Sequence, residues 1–269
     1  MEIKNEHVFK SVDESGVAPE LIEYLERVAA RPDIREMHEL ADRLLMARPG
    51  ERILEAGCGL GATARDLARA TAPDGEVIAV DVSEAMIAAA RERHDEGLAV
   101  TYDVGDVTAL DLPDASVDAV RIERVLQHLV EVDQAIAEIF RVLRPGGRVV
   151  VLDPDWGSVA VDMEDPALAE TVRAHFLGRA VRPRVGIELR RRLRRAGFAS
   201  VEVLPHVFSY TSLADVAEVL PMFNEALPPE ARLVPDGSRE EWFAALRRAD
   251  EAGELFVGFT GYVARGSKP

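Results

Sequence analysis

The sequence predicts an α/β protein: a doubly wound, mostly parallel sheet with helices on both faces. Between Glu51 and Asp153, short apolar runs alternate with helix-patterned segments. The runs read as buried strands, as a parallel sheet covered on both faces requires. Helical spacing before Glu51 and looser texture after Asp153 add an N-terminal helical extension and helical insertions.

In the first 50 residues, Leu21, Ile22, Leu25, Val28 and Ala29 recur at helical spacing, as do Ile34, Met37, Leu40, Ala41, Leu44 and Leu45. Arg31-Pro32 separates these helices, because the residue before proline is driven away from helical geometry. Arg48-Pro49-Gly50 ends the second. A strand at Arg52–Glu55, a helix at Ala62–Ala72, a turn at Pro73-Asp74-Gly75 and a strand at Glu76–Asp81 follow. Ser83 caps a helix reaching His94. Strands are expected at Leu98–Val104 and Ser116–Ile122, then a helix at Val132–Leu143, a stop at Arg144-Pro145-Gly146-Gly147 and a strand at Arg148–Asp153. Residues 154–185 read as an irregular helical insertion. Beyond it come an Arg-rich helix at Ile187–Ala196, a strand at Ser200–Tyr210, helices at Leu213–Ala226 and Arg239–Glu251, and a last strand at Leu255–Ala264.

The 269 residues carry 32 basic and 48 acidic side chains, a net charge of −16 that repels phosphate backbones and anionic membranes. Nucleic acid is therefore not an expected partner. The dense run of arginines from Arg179 to Arg195 reads as a solvated helix face. No apolar run approaches the roughly 20 residues that cross a bilayer, and Met1-Glu2-Ile3-Lys4-Asn5-Glu6-His7 is too polar for a secretion signal. A cytoplasmic protein, free of the membrane, is expected. The single cysteine, Cys58, excludes an internal disulfide and any CxxC metal site; no metal is expected. The composition allows a homo-oligomer.

Glu55-Ala56-Gly57-Cys58-Gly59-Leu60-Gly61 lies between a strand and a helix. Glycine permits a sharp turn and the close approach of a ligand to the main chain, and the following helix offers free N–H groups. Asp81 ends the next strand, where an acidic side chain can accept both hydrogen bonds of a ribose diol. The loop grips a nucleoside cofactor. Gly57-Cys58-Gly59-Leu60-Gly61-Ala62 also fits G-x-G-x-x-A, so an NAD-dependent oxidoreductase competes. Glu55 argues against it: its charge repels a pyrophosphate and welcomes a sulfonium cofactor that carries an ammonium group.

From Pro49 to Gly197 the chain resembles the class I S-adenosylmethionine-dependent methyltransferases, the small-molecule branch that includes quinone and natural-product methyltransferases. Residues 55–61 match the first motif and Asp81 the ribose acid. Gly105-Asp106-Val107 matches the adenine-binding stretch, Glu123-Arg124-Val125-Leu126-Gln127-His128-Leu129 the segment bordering the methionine moiety, and Leu143-Arg144-Pro145-Gly146-Gly147-Arg148 the turn before the fifth strand. The resemblance implies a seven-stranded sheet with an antiparallel last strand. It assigns Glu55, Ala56, Gly57, Gly59, Asp81, Val82, Met86, Asp106, Val107, Glu123 and Arg124 to the cofactor, S-adenosyl-L-methionine. Residues 1–50 form a helical lid, 51–153 the cofactor core, and 154–269 the rest of the sheet with lid insertions.

The implied reaction moves a methyl group to an O, N or C atom of a small organic molecule. Such an in-line displacement needs positioning, and a base only where the acceptor arrives protonated. His128, just past the cofactor-bordering segment, is the first candidate base, against a plain packing role; Asp153 at the end of the fifth strand is the second. Asp155 and Trp156 are expected to meet the substrate, with Tyr24, Met222 and Phe223 from the lid; His38, His175, Phe208 and Tyr210 are further pocket candidates. Two other readings stay open: a cyclase that uses the bound sulfonium without methyl transfer, and a non-catalytic cofactor-binding partner protein.

Overall fold

A computed structural model describes residues 18–269. The first seven residues, read above as too polar for a secretion signal, and the start of the expected 1–50 segment lie outside the described residues. Helices α1 (Ala18–Ala30) and α2 (Pro32–Leu45) are followed by β1 (Arg52–Ala56), α3 (Ala62–Thr71), β2 (Glu76–Asp81), α4 (Glu84–Glu92), β3 (Val100–Val104) and β4 (Val117–Glu123). A short 3₁₀ turn, Leu126–His128, precedes α5 (Val132–Val142) and β5 (Leu143–Val161). Then come α6 (Pro166–Arg179), α7 (Val185–Arg195), β6 (Ala199–Tyr210), α8 (Leu213–Val219), α9 (Asp236–Ala252) and β7 (Val257–Ser267). The seven strands form one sheet in the order β3-β2-β1-β4-β5-β7-β6. Strands β1 to β5 run parallel, and β7 lies antiparallel between β5 and β6. This is the Rossmann-like sheet with an antiparallel last strand that the resemblance implies.

Strand alternation divides the core into two layers. Ile53, Val77, Ala79 and Leu152 pack beneath α2, α3 and α4, while Leu54, Ile78, Val80 and Val151 pack against α5 and α7. Every central strand is thus apolar on both faces, which is why the strands read as continuous runs. Among the described residues no helix is long and apolar enough to cross a membrane.

Three expectations need correction. The strand expected at Arg148–Asp153 begins at Leu143 and continues to Val161. Its extension pairs with β7 after a shift of register, Ala160 with Gly258 and Val161 with Val257. The helix expected at Leu213–Ala226 stops at Val219, because Leu220 precedes Pro221 and proline disfavours helical geometry there. The segment 154–185 is less irregular than expected: it holds the end of β5 and α6, capped by Asp165, whose carboxylate accepts from the amides of Ala167 and Leu168.

The N-terminal helices are tied to the sheet by buried arginines. Arg121, 1% exposed in the middle of β4, donates to Asp42 on α2 and, at 2.9 Å, to Glu123. Arg148 donates to the carbonyls of Leu45 and Met46 at the end of α2 and pairs with Glu51 at 2.6 Å. Removing one member of a buried ion pair strands the other, at a cost of about 3–5 kcal/mol. Arg121→Met should lower the free energy of unfolding by about that amount in urea titrations. A loss below about 1 kcal/mol, the value of a surface pair, would show that Arg121 compensates no buried charge.

Candidate functional site

The carboxyl ends of β1, β2 and β4, with the loops after them, open onto one cavity of about 1090 Å³. One half is built from the glycine loop, the Asp81–Met86 corner, Gly105–Val107 and Glu123–Leu129. The other is built from α1, α2, α6, β6, α8 and β7. Its volume sits at the upper end of ligand pockets, about 300–1,000 Å³, and leaves space for two molecules side by side.

In the loop, Gly57 and Gly61 have φ of +79° and +69°, a region open to glycine and strained for other residues. A Cβ on Gly57 would lie 2.1 Å from Val125 Cγ2, so glycine is needed there for space as well. The amides of Gly57 and Cys58 donate to the Val80 carbonyl at 2.7 and 3.0 Å. Asp81 holds the corner together: Oδ2 accepts from the Gly59 amide at 2.9 Å and Oδ1 from the Ser83 amide at 3.0 Å. Asp106 Oδ1 accepts from the amide and hydroxyl of Thr108, at 2.8 and 2.7 Å, which fixes its side chain. Arg124 has φ +53°, backbone strain of the kind that clusters at ligand sites.

Ala56, Val82, Met86 and Val107 line the same half, so all eleven residues assigned above to the cofactor meet in one place. The glycine-loop reading also missed contributors: Leu60, Ser83 and Arg65 line it too. Cys58 is buried there, and burial, with the charges of Glu55 and Asp81, pushes its thiol up, so it is no nucleophile.

Two carboxylates on the same sheet face behave oppositely. Burial pushes Glu55 up to about 8, with help from Glu123 and Asp81 and against the Arg121 charge. Burial also opposes the charge on Glu123, but the hydrogen bond and charge of His38, with Arg121 and Arg124, outweigh it and hold that carboxyl well below its usual range. Of this pair, Glu123 is a fixed anion and Glu55 a carboxyl that awaits a cation.

The candidate bases fare differently. His128 lines the cavity, but burial and the Arg124 charge lower it to about 4, which makes it a weak proton acceptor. Asp153 is not a wall residue. Pro154 and Trp156 face the cavity, so Asp153 and Asp155 point to the opposite face of β5. Asp153, 0% exposed and pushed up to about 8 by burial, accepts from the Gln127 amide at 3.2 Å and so anchors the turn that carries His128. Asp155 accepts from the Gly157 amide and lies 3.8 Å from Arg184.

Tyr24 and Trp156 line the second half, as do Phe208 and His38. Trp156 donates to Gln127 Oε1 at 2.8 Å and packs against Phe176 and Phe259. Met222 and Phe223 are not in the wall: they are buried inside the lid, where Trp242 donates to the Met222 carbonyl and stacks near Phe223. Tyr210 also lies elsewhere, donating to Asp33 at 2.7 Å, and His175 is absent from the wall. The arginine run is spent locally, Arg182 on the Leu129 and Val130 carbonyls and Arg192 on Glu188 and Asp133.

A methyltransferase domain family matches residues 54–151. The chain is 37% identical over 254 residues to the uncharacterized 37.1 kDa protein in transposon TN4556 of Streptomyces fradiae, covering 94% of this chain and 72% of that protein. It is 33% identical over 156 residues to the ubiquinone/menaquinone biosynthesis C-methyltransferase UbiE of Bordetella avium, covering 54% of this chain and 61% of that one. This chain belongs to the class I S-adenosylmethionine-dependent methyltransferases. Phosphoethanolamine N-methyltransferase 2 of Haemonchus contortus, solved with S-adenosyl-L-methionine, shares the fold: TM-score 0.60 at 22% identity, over 97% of this chain and 60% of that one. The cofactor of the family, S-adenosylmethionine, fits the residues present. Its ammonium group would satisfy Glu55, whose Oε2 has no hydrogen-bond partner among the described residues, and Asp81, at the end of β2, lines the same cavity as the acid that would meet the ribose.

That fit sets a proton balance for this methyltransferase. Folded and free, Glu55 holds its proton up to about pH 8, whereas the reference carboxyl loses it near 4.5. The folded state therefore binds an extra proton in that window, and Glu55 makes the free protein less stable as pH rises through it. A cation beside Glu55 restores the carboxylate. Cofactor binding near neutral pH should release up to about one proton from this group. Calorimetry in two buffers of different ionisation enthalpy would measure it, and Glu55→Gln should abolish this release and weaken binding. Equal release by the variant would remove Glu55 from the cofactor site.

Proposed function

We propose that the protein transfers the methyl group of S-adenosylmethionine to a small, largely apolar, ring-bearing molecule. The observation that carries this reading is the continuity of the cavity. A glycine loop with four acids, Glu55, Asp81, Asp106 and Glu123, forms one end, and Trp156, Phe176, Phe208 and Phe259 stand at the other with no wall between them. Aromatic walls bind flat apolar ligands through area and ring stacking. Residues 51–153 hold the cofactor, through Glu55 to Gly59, Asp81 to Met86, Asp106, Val107, Glu123 and Arg124. The N-terminal helices and the segments around α6 and α8 close over the acceptor. Positioning then does most of the chemistry, by holding the acceptor atom in line with the sulfonium methyl.

At about 100 times its dissociation constant, S-adenosylmethionine should stabilise the fold by about 2.7 kcal/mol, read as a thermal shift. NAD should give none. Aromatic hydroxy compounds added to the cofactor-loaded protein should quench Trp156 and release S-adenosylhomocysteine on turnover. A thermal shift without any S-adenosylhomocysteine across such a set would favour a non-methylating use of the same site.

A further inference from the structure

We infer that His38, held by Glu123, takes the acceptor's proton during methyl transfer, and that the acceptor presents an ionisable O–H on an aromatic or enol ring. The inference rests on the methyl-transfer reading above and names its substrate class. His38 lies on α2 and lines the cavity. Its Nε2 is 2.5 Å from Glu123 Oε1. With Nε2 in contact with Glu123, Nδ1 is the ring nitrogen left for a proton from the acceptor.

Glu123 is itself immobilised. Its Oε2 accepts from the buried Arg121 at 2.9 Å, and Arg124 Nε stands 3.4 Å from Oε1. A carboxylate so fixed sets the position of the imidazole ring against the cavity. His128 stands near the Arg124 charge, which opposes a second cation. The chemistry of the wall sets the acceptor class. A phenolic proton, at about 10, is within reach of an imidazole; an unactivated hydroxyl resembling water, at about 15.7, is not.

In the step, the acceptor's O–H bond breaks and its proton passes to Nδ1. An oxygen lone pair forms the C–O bond as the S–CH₃ bond breaks, and that electron pair remains on sulfur. The products are the methyl ether, S-adenosylhomocysteine and the His38 imidazolium, which returns its proton to water.

The test uses the full chain loaded with S-adenosylhomocysteine and 4-nitrophenol as the probe, because its phenolate is coloured and its neutral form is not. At a pH where the free probe is neutral, the wild type should bind coloured phenolate, and so should His175→Gln, whose side chain is absent from the cavity wall. His38→Gln, with His38→Asn as a second variant should the first fail to fold, should lose at least about tenfold of that bound colour, one pH unit of proton affinity. Calorimetry of S-adenosylhomocysteine on the same samples reports on the cofactor reading separately. No colour on the wild type at saturating probe, or equal colour with His38 replaced, would overturn the inference. Loss of S-adenosylhomocysteine binding by the wild type would instead overturn the cofactor reading.

Discussion

One buried cation, the Arg121 guanidinium, organises the site. It sits in the central strand β4 with carboxylates on both sides along the same sheet face, Glu123 two residues on and Glu55 at the paired position of β1. Isolated charges in such a place are untenable. A single guanidinium with five donors can serve several acceptors at once, and here it also reaches Asp42 on α2. The same contact that keeps Glu123 ionised therefore also seats the N-terminal helices over the cavity. Arg121 thus couples the cofactor end to the lid, beside the separate anchor that Arg148 makes at the end of α2.

Arg121 cannot satisfy every acid it faces. Glu123 receives its direct hydrogen bond, and Glu55 feels only its charge, which burial outweighs. This inequality gives the two glutamates different tasks. The satisfied one is a fixed anion suited to orienting a neighbour. The unsatisfied one is a neutral carboxyl that becomes an anion only when a cation arrives. Asp81 is held in place by the amides of Gly59 and Ser83, so its position in the cavity wall is set by the fold itself.

The sheet and the cofactor half were legible because their signals are local. A doubly covered strand is apolar throughout, and strand, glycine loop and helix occupy consecutive residues. What was misread depends on contacts between distant residues. Asp153 and Asp155 sit at the rim in sequence, but one residue of strand register puts them on the far face and gives the cavity to Pro154 and Trp156. Met222 and Phe223 show a spacing suited to any apolar partner, and that partner is Trp242 rather than a ligand. The extension of β5 to Val161 requires β7, which arrives almost a hundred residues later. His38 was visible only as one histidine of a helix; its meaning comes from Glu123.

The division of the cavity also bears on how such a protein acquires its substrate. Nearly all of the cofactor half lies within residues 54–151, the stretch that matches the methyltransferase domain family. Tyr24, His38, Trp156, Phe176, Phe208 and Phe259 lie outside it. These residues come from α1, α2, α6 and the strands β5, β6 and β7, which the cofactor loops do not use. Substitutions there reshape the acceptor pocket without touching the glycine turn or the acids. Besides the contact of His38 with Glu123, another link crosses the division: Gln127, whose side-chain oxygen holds Trp156 and whose amide is held by Asp153. The aromatic wall is thus set by a turn that also lines the glycine-loop half of the cavity, so the two halves are held in fixed relation to each other.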